Sequence, residues 1–364
     1  MNDSKPDQYA ALIQSTLFLQ PGLSRADLSS LLGIDRAMVT RVSQGLMQKG
    51  IIREGSSHEI SSGAGRRPVS LFLNDQSMCI LGLEVIDSFI KVGSFTVYGE
   101  ALSSSRHNPE PGQSLEAWLL HVLEVEIDAA RKRGFGVWAV GLAISGLINP
   151  DKGHIFLSPH LGIHSEPVNI KDRLEQVLGV PVFPDNDAKC CCYDVMTYGE
   201  LQDRQNFLYL FGDLIEQEGN TAEFHRVAIG SALVLDGKVQ YGAHSASGEF
   251  RSALANPDVP GQFGRADQYR AIRSDSRMRQ EFFQELGQNI SLLANYLDLE
   301  AIHLGGGIEE FRDEAGPIFQ RALEVGWVYR HVYPKPVALH FAKNGDKPAL
   351  RGAAALAARK LFLS

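Results

Sequence analysis

The chain has 364 residues, of which 44% are hydrophobic, and a formal net charge of −8 at pH 7. This length suffices for more than one domain with a sizeable core. The negative net charge excludes a protein whose whole surface is basic. A run of about 18 apolar residues is absent, as is an N-terminal basic segment followed by an apolar one, so we expect a cytoplasmic protein without a membrane span.

Residues 22–50 predict two short amphipathic helices around a glycine turn. Ser24 and Asp27 form a capping box, and Gly33 can take the left-handed conformation that ends the first helix. Asp35 then caps the second helix. The inward-facing positions are predicted to be Leu28, Leu31, Leu32, Val39, Val42, Leu46 and Met47. The outward-facing positions of the second helix are Arg36, Met38, Thr40, Arg41 and Gln44. An outward set of this kind suits the major groove of DNA.

The residues on either side of this helix pair complete a winged domain. A preceding helix is predicted from the apolar positions Tyr9, Leu12, Ile13 and Leu17. Residues 51–54 and the alternating residues 69–73 predict a pair of strands. Arg66 and Arg67 lie in the Gly- and Ser-rich tip between these strands. A flexible arm with two guanidinium groups can enter a minor groove, where the negative potential is enhanced.

The distribution of charge supports a DNA-binding role for residues 1–74. They carry eight basic and six acidic side chains, although the whole chain is acidic. The basic excess is therefore confined to this N-terminal part. We expect a winged helix-turn-helix domain over residues 1–74 that binds a double-stranded DNA operator. The alternative is a helix pair that serves packing only.

From about residue 76 the pattern changes to alternating strands and helices, which predicts an α/β fold. Strands are predicted at 80–85, 88–96, 137–143, 181–184, 301–304 and 337–341, with another after the turn at 97–100. Helices are predicted at 114–134 and 276–297, between 307 and 337, and from about 349. Cys79 and the consecutive Cys190, Cys191 and Cys192 are interpreted as small reduced core residues, because adjacent cysteines neither chelate one metal well nor form a disulfide framework.

Several short motifs, in their order and spacing, resemble the ROK family, which is named for repressors, open reading frames and sugar kinases. They lie at residues 65–68, 81–84, 158–161, 186–188, 236–238, 247–249, 305–307 and 352–354. The resemblance implies a two-lobed, actin-like and ribonuclease H-like sugar-kinase domain over residues 75–364. Lobe I would cover about 77–195 plus 350–364, and lobe II about 196–349. Members with a winged helix are sugar-responsive transcription factors.

The first nucleotide loop of the kinase members is altered here. Kinases have Asp-x-Gly-Gly-Thr after the first strand, whereas residues 84–88 of this chain read Glu-Val-Ile-Asp-Ser. Ile86 blocks the close approach of a phosphate, and Asp87 places negative charge where phosphate oxygens would lie. Because phosphoryl transfer depends on positioning phosphates and neutralising their charge, we expect no catalytic residue and no nucleotide cofactor.

Two other nucleotide-binding elements of the kinases are also changed or ambiguous. The Gly-Thr-Gly loop aligns with residues 226–228, Arg-Val-Ala, and only Gly230 remains of its glycines. The glycines at 305–307 follow a strand and precede a helix, at a turn that lies against the adenosine in kinases. Here a tight turn that needs a permissive backbone explains them at least as well.

The zinc motif of the family is incomplete. ROK members commonly hold a structural zinc with a histidine and a following run of cysteines. In this chain residues 248–252 read Gly-Glu-Phe-Arg-Ser, so Ser252 occupies the histidine position, and no cysteine follows Cys192. Because a tetrahedral zinc site needs thiolate or imidazole ligands, we expect no metal site.

Part of a sugar pocket nevertheless remains. Asn186 and Asp187 follow the strand at 181–184, at the strand end where open α/β sheets bind ligands, and Glu249 keeps its family position in the second lobe. By resemblance, Gly146 and His160 complete the lining. In a kinase Asp187 would be the general base, but here we assign it only a hydrogen bond to a sugar hydroxyl. The alternative is an Asx-type turn after the strand.

These observations predict a DNA-binding transcriptional regulator, with repression favoured over activation. Its inactive kinase-like domain would bind a sugar or sugar-phosphate effector, and its operator would be read by a homodimer or a higher homo-oligomer. One alternative is an active, ATP-dependent ROK sugar kinase, against which the altered phosphate loops argue. The other is a regulator controlled by a protein partner in place of a sugar.

Overall fold

The structure is a computed structural model. It describes residues 5–55, 69–214, 227–258, 261–264, 272–329, 331–332, 337–342 and 348–363. The expected minor-groove arginines, Arg66 and Arg67, lie outside the described residues, as does Arg226 of the altered second loop. Within the described ranges, no helix is both long enough and apolar enough to cross a membrane.

The N-terminal part is a helical domain with a two-stranded hairpin. Its elements are α1 (Lys5–Leu19), α2 (Arg25–Leu32), α3 (Arg36–Gln48), β1 (Ile52–Glu54) and β2 (Leu71–Leu73), the two strands being antiparallel. The capping box forms as predicted between Ser24 and Asp27, and the hydrogen bonds from Ser24 lower the pKa of the Asp27 carboxyl. Gly33 ends α2 at φ 65°, and Asp35 caps α3 by accepting from two backbone N–H groups.

Three predicted orientations in this domain were wrong. Leu12 and Leu31, expected in the apolar stripes, are 46% and 57% exposed. The buried side chains are Ile13, Leu17 and Phe18 in α1 and Leu28 in α2, so Leu12 and Leu31 lie at the edge of the buried face. Met38, expected to face outward, is half-buried and packs against the domain core.

The first large sheet has five strands in the order β10-β6-β3-β4-β5. They are β3 (Met78–Val85), β4 (Ile90–Phe95), β5 (Ala101–His107), β6 (Gly136–Ile144) and β10 (Val182–Asn186). β3, β6 and β10 are parallel, so their carboxyl ends lie at one edge. Helices α4 (Leu115–Lys132) and α5 (Lys171–Leu178) pack against this sheet. A small sheet that the sequence did not predict follows β6, formed by β7 (Leu147–Asn149), β8 (His154–Leu157) and β9 (Val168–Asn169).

The second large sheet has the order β13-β12-β11-β14-β15. Its strands are β11 (Phe207–Leu214), β12 (Val227–Leu235), β13 (Lys238–Val239), β14 (Ala301–Gly306) and β15 (Ala338–Phe341), and the first three were not predicted from the sequence. Helices α7 (Ser276–Tyr296), α8 (Gly307–Glu310) and α9 (Arg312–Gly326) pack on one face. We call the first sheet with α4, α5, α6 (Asp187–Thr197) and α10 (Ala349–Phe362) lobe I, and the second sheet with α7 to α9 lobe II.

Helices α6 (Asp187–Thr197) and α10 (Ala349–Phe362) pack tightly together. A Cβ atom at Gly352 would collide with the carbonyl oxygen of Cys190, and one at Gly141 would collide with that of Ala353, so these glycines allow α10 to approach α6 and β6 closely. Cys79 and the consecutive cysteines of α6 are buried and form no disulfide among the described residues, in agreement with their interpretation as reduced core residues. Burial raises the pKa of the Cys79 thiol to about 11.

Candidate functional site

The candidate DNA-reading surface is the exposed face of α3. Arg36, Arg41 and Gln44 are exposed on it, as predicted. Thr40 is half-buried and its hydroxyl donates to the carbonyl oxygen of Arg36 at 2.8 Å. Met38 is half-buried, and a guanidinium nitrogen of Arg41 lies 3.0 Å from its sulfur. The side chains most available to a base edge are therefore the two arginines and the glutamine.

Two other arginines of this domain are held in internal ion pairs. Arg25 pairs with Glu54 at 2.8 Å, which ties α2 to the hairpin. Arg53 pairs with Asp75 at 2.5 Å and lies over the ring of Phe72, 4.7 Å from its centroid. Counting these residues from the sequence therefore overstates the basic charge that is available to a phosphate backbone.

The candidate sugar cleft begins where β10 ends and α6 begins. Asn186 is the N-cap of α6, and its side-chain oxygen accepts from the N–H groups of Ala188 and Lys189 at 3.0 and 3.2 Å. Its amide nitrogen donates to the carbonyl oxygen of Gly146 at 2.9 Å. The structure thus brings Asn186 and Gly146 together, with Asp187 in the first turn of α6. The side-chain oxygen of Asn186 is therefore occupied by N–H groups of α6, and one of its two amide hydrogens is bonded to Gly146. One amide hydrogen remains to donate to a ligand.

Three further residues were predicted to line the sugar site: Gly146, His160 and Glu249. Gly146 adopts φ 141°, and a Cβ atom there would collide with the carbonyl oxygen of Leu157. His160 is exposed in a short 3-10 helix, Pro159–Leu161, that follows β8. Glu249 is exposed on lobe II and follows Gly248, whose φ is 93° and whose carbonyl oxygen accepts from the Ser231 hydroxyl at 2.6 Å.

Residues 86–89, which correspond to the first phosphate loop of the kinases, form a closed turn between β3 and β4. The N–H of Ile86 donates to the carbonyl oxygen of Phe89 at 3.0 Å, and Asp87 is exposed at the tip. The Arg106 guanidinium stacks on Phe89, 3.7 Å from the ring centroid. This turn presents a carboxylate and a packed aromatic ring, whereas an anion site needs converging backbone N–H groups.

The glycines at 305–307 serve a close packing of β14 and α8 against β11. Gly306 adopts φ 69°, and a Cβ atom there would collide with the carbonyl oxygen of Gly212. A Cβ atom at Gly307 would lie 2.8 Å from that of Leu214, and the adjacent Ile308 is fully buried. The interpretation as a tight structural turn therefore accounts for these glycines without a ligand.

The residue at the family's zinc histidine is part of a hydrogen-bonded connection to α7. Ser252 is buried, and its hydroxyl oxygen accepts from the side-chain amide of Asn289 at 3.1 Å. The side-chain oxygen of Asn289 in turn accepts from the N–H of Ala253 at 2.8 Å. Among the residues that the structure describes, no group of three or more His, Cys, Asp or Glu side chains is placed to hold a metal ion.

A buried polar contact between the lobes was not predicted from the sequence. Asp185 of β10 is fully buried, and it accepts from the hydroxyl of Tyr241 at 2.5 Å and from the N–H of Asn186 at 2.7 Å. Burial raises the pKa of the Asp185 carboxyl to about 6, against the opposing effects of Tyr241 and Lys189. An acidic residue inside a short apolar strand was the available sequence signal.

A second missed feature connects the N-terminal domain to lobe I. Phe362 of α10 stacks on Phe18 of α1, with ring centroids 5.6 Å apart. The hydroxyl of Tyr98, in the β4–β5 turn, accepts from the N–H of Leu73 at 2.9 Å and lies 3.3 Å from the carbonyl oxygen of Leu17. The two parts therefore share one apolar core in addition to the covalent link near residues 73–77.

Comparisons with known proteins agree with this architecture. A model of the ROK family matches residues 81–261. A xylose repressor from Caldicellulosiruptor bescii is 23% identical over 248 residues, which cover 67% of this chain and 58% of the relative. The DNA-binding transcriptional dual regulator NagC of Escherichia coli K12 is 22% identical over 238 residues, which cover 65% of this chain and 54% of NagC. The chain thus spans little more than half the length of these two curated relatives.

A solved structure extends the comparison to nearly the whole chain. It is that of a ROK family transcriptional regulator described as a homolog of the E. coli MLC protein, and it superimposes with a TM-score of 0.77. The sequence identity is 19%, and the match covers 97% of both chains. At this identity the likeness establishes the fold, and the predicted α/β architecture of a winged helical part followed by a two-lobed kinase-like part is confirmed.

Proposed function

We propose that this chain, which carries a ROK family domain at residues 81–261, is a sugar-responsive DNA-binding transcriptional regulator, with repression favoured over activation. The observation that carries the proposal is the exposed face of α3, where Arg36, Arg41 and Gln44 project from a capped helix pair. Arginine and glutamine side chains can make bidentate contacts with base edges in a major groove. Similarity to a xylose repressor and to NagC supports the same function.

The proposed effector is a sugar or sugar phosphate in the cleft between the lobes. One side of this cleft is formed by Asn186, Asp187 and Gly146. His160 belongs to the same lobe, and Glu249 supplies the other side. Carboxylate oxygens accept hydrogen bonds from sugar hydroxyls, and an amide hydrogen can donate to one. The relative named for xylose makes a pentose one reasonable candidate, but the chemistry of the cleft fits polyols in general.

We further propose that the kinase-like domain is catalytically inactive. The closed β3–β4 turn carries Asp87 at its tip, and the β14–α8 turn is packed against β11 by Leu214 and Ile308. The β3–β4 turn thus presents a carboxylate at the position where phosphoryl transfer depends on a cradle of N–H groups, and the glycines of the β14–α8 turn are explained by packing alone. Such a regulator would act in the cytoplasm as a homodimer or higher homo-oligomer, because a two-fold operator pairs with a two-fold protein.

The packing supplies a route by which the cleft can affect DNA binding. Asn186 caps α6, α6 packs on α10, and Phe362 at the end of α10 contacts Phe18 of α1. A shift of α6 on sugar binding would therefore be passed to the N-terminal domain through two packed helices. Such coupling is reciprocal, so operator binding would change sugar affinity by the same factor.

The DNA-binding part is tested by selection from a randomised double-stranded DNA library with the full chain. We expect enrichment of one sequence, and weaker binding of that duplex by the Arg41→Ala variant. A failure to enrich any sequence would overturn the DNA-binding assignment. The recovered duplex then serves as the operator in all later titrations, at a stated salt concentration.

The effector is tested by titrating that operator in the presence of pentoses, hexoses, N-acetylhexosamines and their 6-phosphates. A compound that shifts operator affinity and raises the melting temperature is the effector, since a ligand of the folded state stabilises it. If no compound does either, control by a protein partner becomes the better account. Sugar-dependent release of ADP from ATP would instead favour the kinase alternative.

A further inference from the structure

The buried contact between Asp185 and Tyr241 crosses from lobe I to lobe II. Asp185 lies in β10, whereas Tyr241 follows β13. The Tyr241 hydroxyl also lies 3.1 Å from that of Tyr193 on α6, and the ammonium group of the buried Lys189 lies 5.5 Å from the centroid of the Tyr241 ring. The Tyr241 side chain is thus inserted against α6, and its hydroxyl reaches the end of β10.

Each partner in this contact is attached to one half of the proposed sugar cleft. Asp185 immediately precedes Asn186 and accepts from its N–H, so it also orients the cap of α6. Tyr241 lies in the same loop as Glu249, and its carbonyl oxygen accepts from the N–H of Ser247 at 3.1 Å. A change in the Asp185–Tyr241 distance would therefore move the two halves of the cleft relative to each other.

We propose that the hydrogen bond from Tyr241 to Asp185 is the positioning contact that sets the separation of the two halves of the cleft. This inference rests on the proposed sugar-responsive function. Because Asp185 is fully buried, separating the pair would leave a buried carboxyl oxygen without its donor, which costs more than losing an exposed hydrogen bond. Tyr241 is thus a positioning residue, which acts on the sugar through Asp185 and the loop that carries Glu249.

The first experiment needs no sugar. Hydrogen–deuterium exchange is measured on the ligand-free full chain for the parent, Tyr241→Phe and Tyr193→Phe. Tyr241→Phe removes only the hydroxyl, and Tyr193→Phe is the matched control that removes the neighbouring hydroxyl without touching Asp185. We expect about 3- to 10-fold faster exchange at the Asn186 and Ser247 amides in Tyr241→Phe, as for the loss of one buried hydrogen bond.

The control variant and the amides of α4 show whether faster exchange is specific to the loss of the Tyr241 hydroxyl. Tyr193→Phe should stay within about twofold of the parent, and the amides of α4 should not change in either variant, which excludes a general loss of stability. The proposal is overturned if exchange in Tyr241→Phe equals that of the parent, or if Tyr193→Phe accelerates both amides equally.

The second experiment measures the response to a sugar identified in the panel above. Tyr241→Phe should reduce the sugar-induced shift in operator affinity by about 3- to 10-fold, while operator affinity without sugar stays within about twofold. Asp185→Asn should retain the response, because its amide nitrogen can donate to the Tyr241 oxygen while its carbonyl oxygen accepts from Asn186.

A full response in Tyr241→Phe would overturn the proposal. If the parent itself shows no sugar response, the proposed function fails, and the exchange experiment alone decides on the contact.

Discussion

The ring of Phe18 stacks on the ring of Phe362, with centroids 5.6 Å apart and planes inclined by 29°. Phe18 lies near the end of the first helix and Phe362 at the end of the last one, so residues from opposite ends of the chain meet here. Trp138 of β6 contacts the same Phe362 ring edge-on at 5.4 Å. This three-ring cluster restrains the orientation of the N-terminal domain on lobe I.

Replacing Phe362 by alanine tests this restraint. The ring is about nine-tenths buried, so Phe362→Ala should lower the free energy of unfolding by about 3 kcal/mol through lost burial and a cavity. It should also reduce the sugar-dependent shift in operator affinity, whereas Phe362→Leu should cost less than about 1.5 kcal/mol. Urea unfolding and operator titration measure the two effects. A Phe362→Ala variant with the full sugar response would show that the helix contact does not transmit it.

The proposed DNA contact of α3 is tested with Arg41→Ala. We expect a loss of about 1 to 3 kcal/mol in operator affinity if Arg41 reads a base edge, with a smaller loss on random DNA. Arg131→Ala, which removes one exposed charge from the end of α4, is the matched control and should bind as the parent does. Operator affinities that fall equally in both variants would mean that only net charge matters.

Arg66 and Arg67, which lie between β1 and β2 in the sequence, give a separate prediction. Replacing Arg66 and Arg67 together by alanine should weaken binding to all DNA sequences and flatten the dependence of affinity on salt, because fewer counterions are released. The measurement is a titration at several salt concentrations. An unchanged salt slope would remove these two residues from the DNA interface.

The cleft is tested with Asp187→Ala. This change should abolish the sugar-induced shift in operator affinity, about 1 to 3 kcal/mol in the parent, while DNA binding without sugar is retained. Glu116→Ala removes a half-exposed carboxylate of α4 that lies 3.5 Å from the Arg173 guanidinium, and this control should respond normally. If Asp187→Ala responds as fully as the parent, the effector binds at another place.

The proposed absence of catalysis gives a prediction with a clear readout. The purified chain should show neither ATP binding by calorimetry nor sugar-dependent ADP release above a blank, because the β3–β4 turn presents Asp87 where a phosphate cradle would be required. Turnover that disappears in Asp187→Asn would establish the kinase activity that we argue against.

The buried carboxyl of Asp185 makes a specific prediction about pH. Its folded-state pKa, about 6, lies above the ordinary value of 3.8, so its contribution to stability is fully present below pH 3.8 and is lost as pH rises through about 6. The parent should therefore lose stability relative to Asp185→Asn over this interval, by an amount on the order of 1 to 3 kcal/mol. Denaturant unfolding of both proteins from pH 4 to 7 measures the difference. Parallel profiles would contradict it.

Local signals in the sequence predicted the N-terminal domain well. The cap at Ser24, the turn at Gly33 and the cap at Asp35 depend on contacts within a few residues, and they form as expected. The errors at Leu31 and Met38 arose because helix periodicity gives an approximate face, whereas neighbouring elements decide which edge of that face is covered. Strands β11 and β12 were missed because nearly continuous apolar runs carry no clear periodicity.

The sequence by itself determined the helix caps of the N-terminal domain, the alternation of strands and helices after residue 76, and which kinase loops and zinc ligands are altered, because these depend on residue identity and short-range contacts. Only the tertiary structure decided that Asn186 caps a helix while bonding Gly146, that Asp185 meets Tyr241 across the lobes, and that Phe18 meets Phe362. These pairs are separated by 40, 56 and more than 300 residues. Contacts at such separations follow from how packed elements fill space, and no local pattern encodes them.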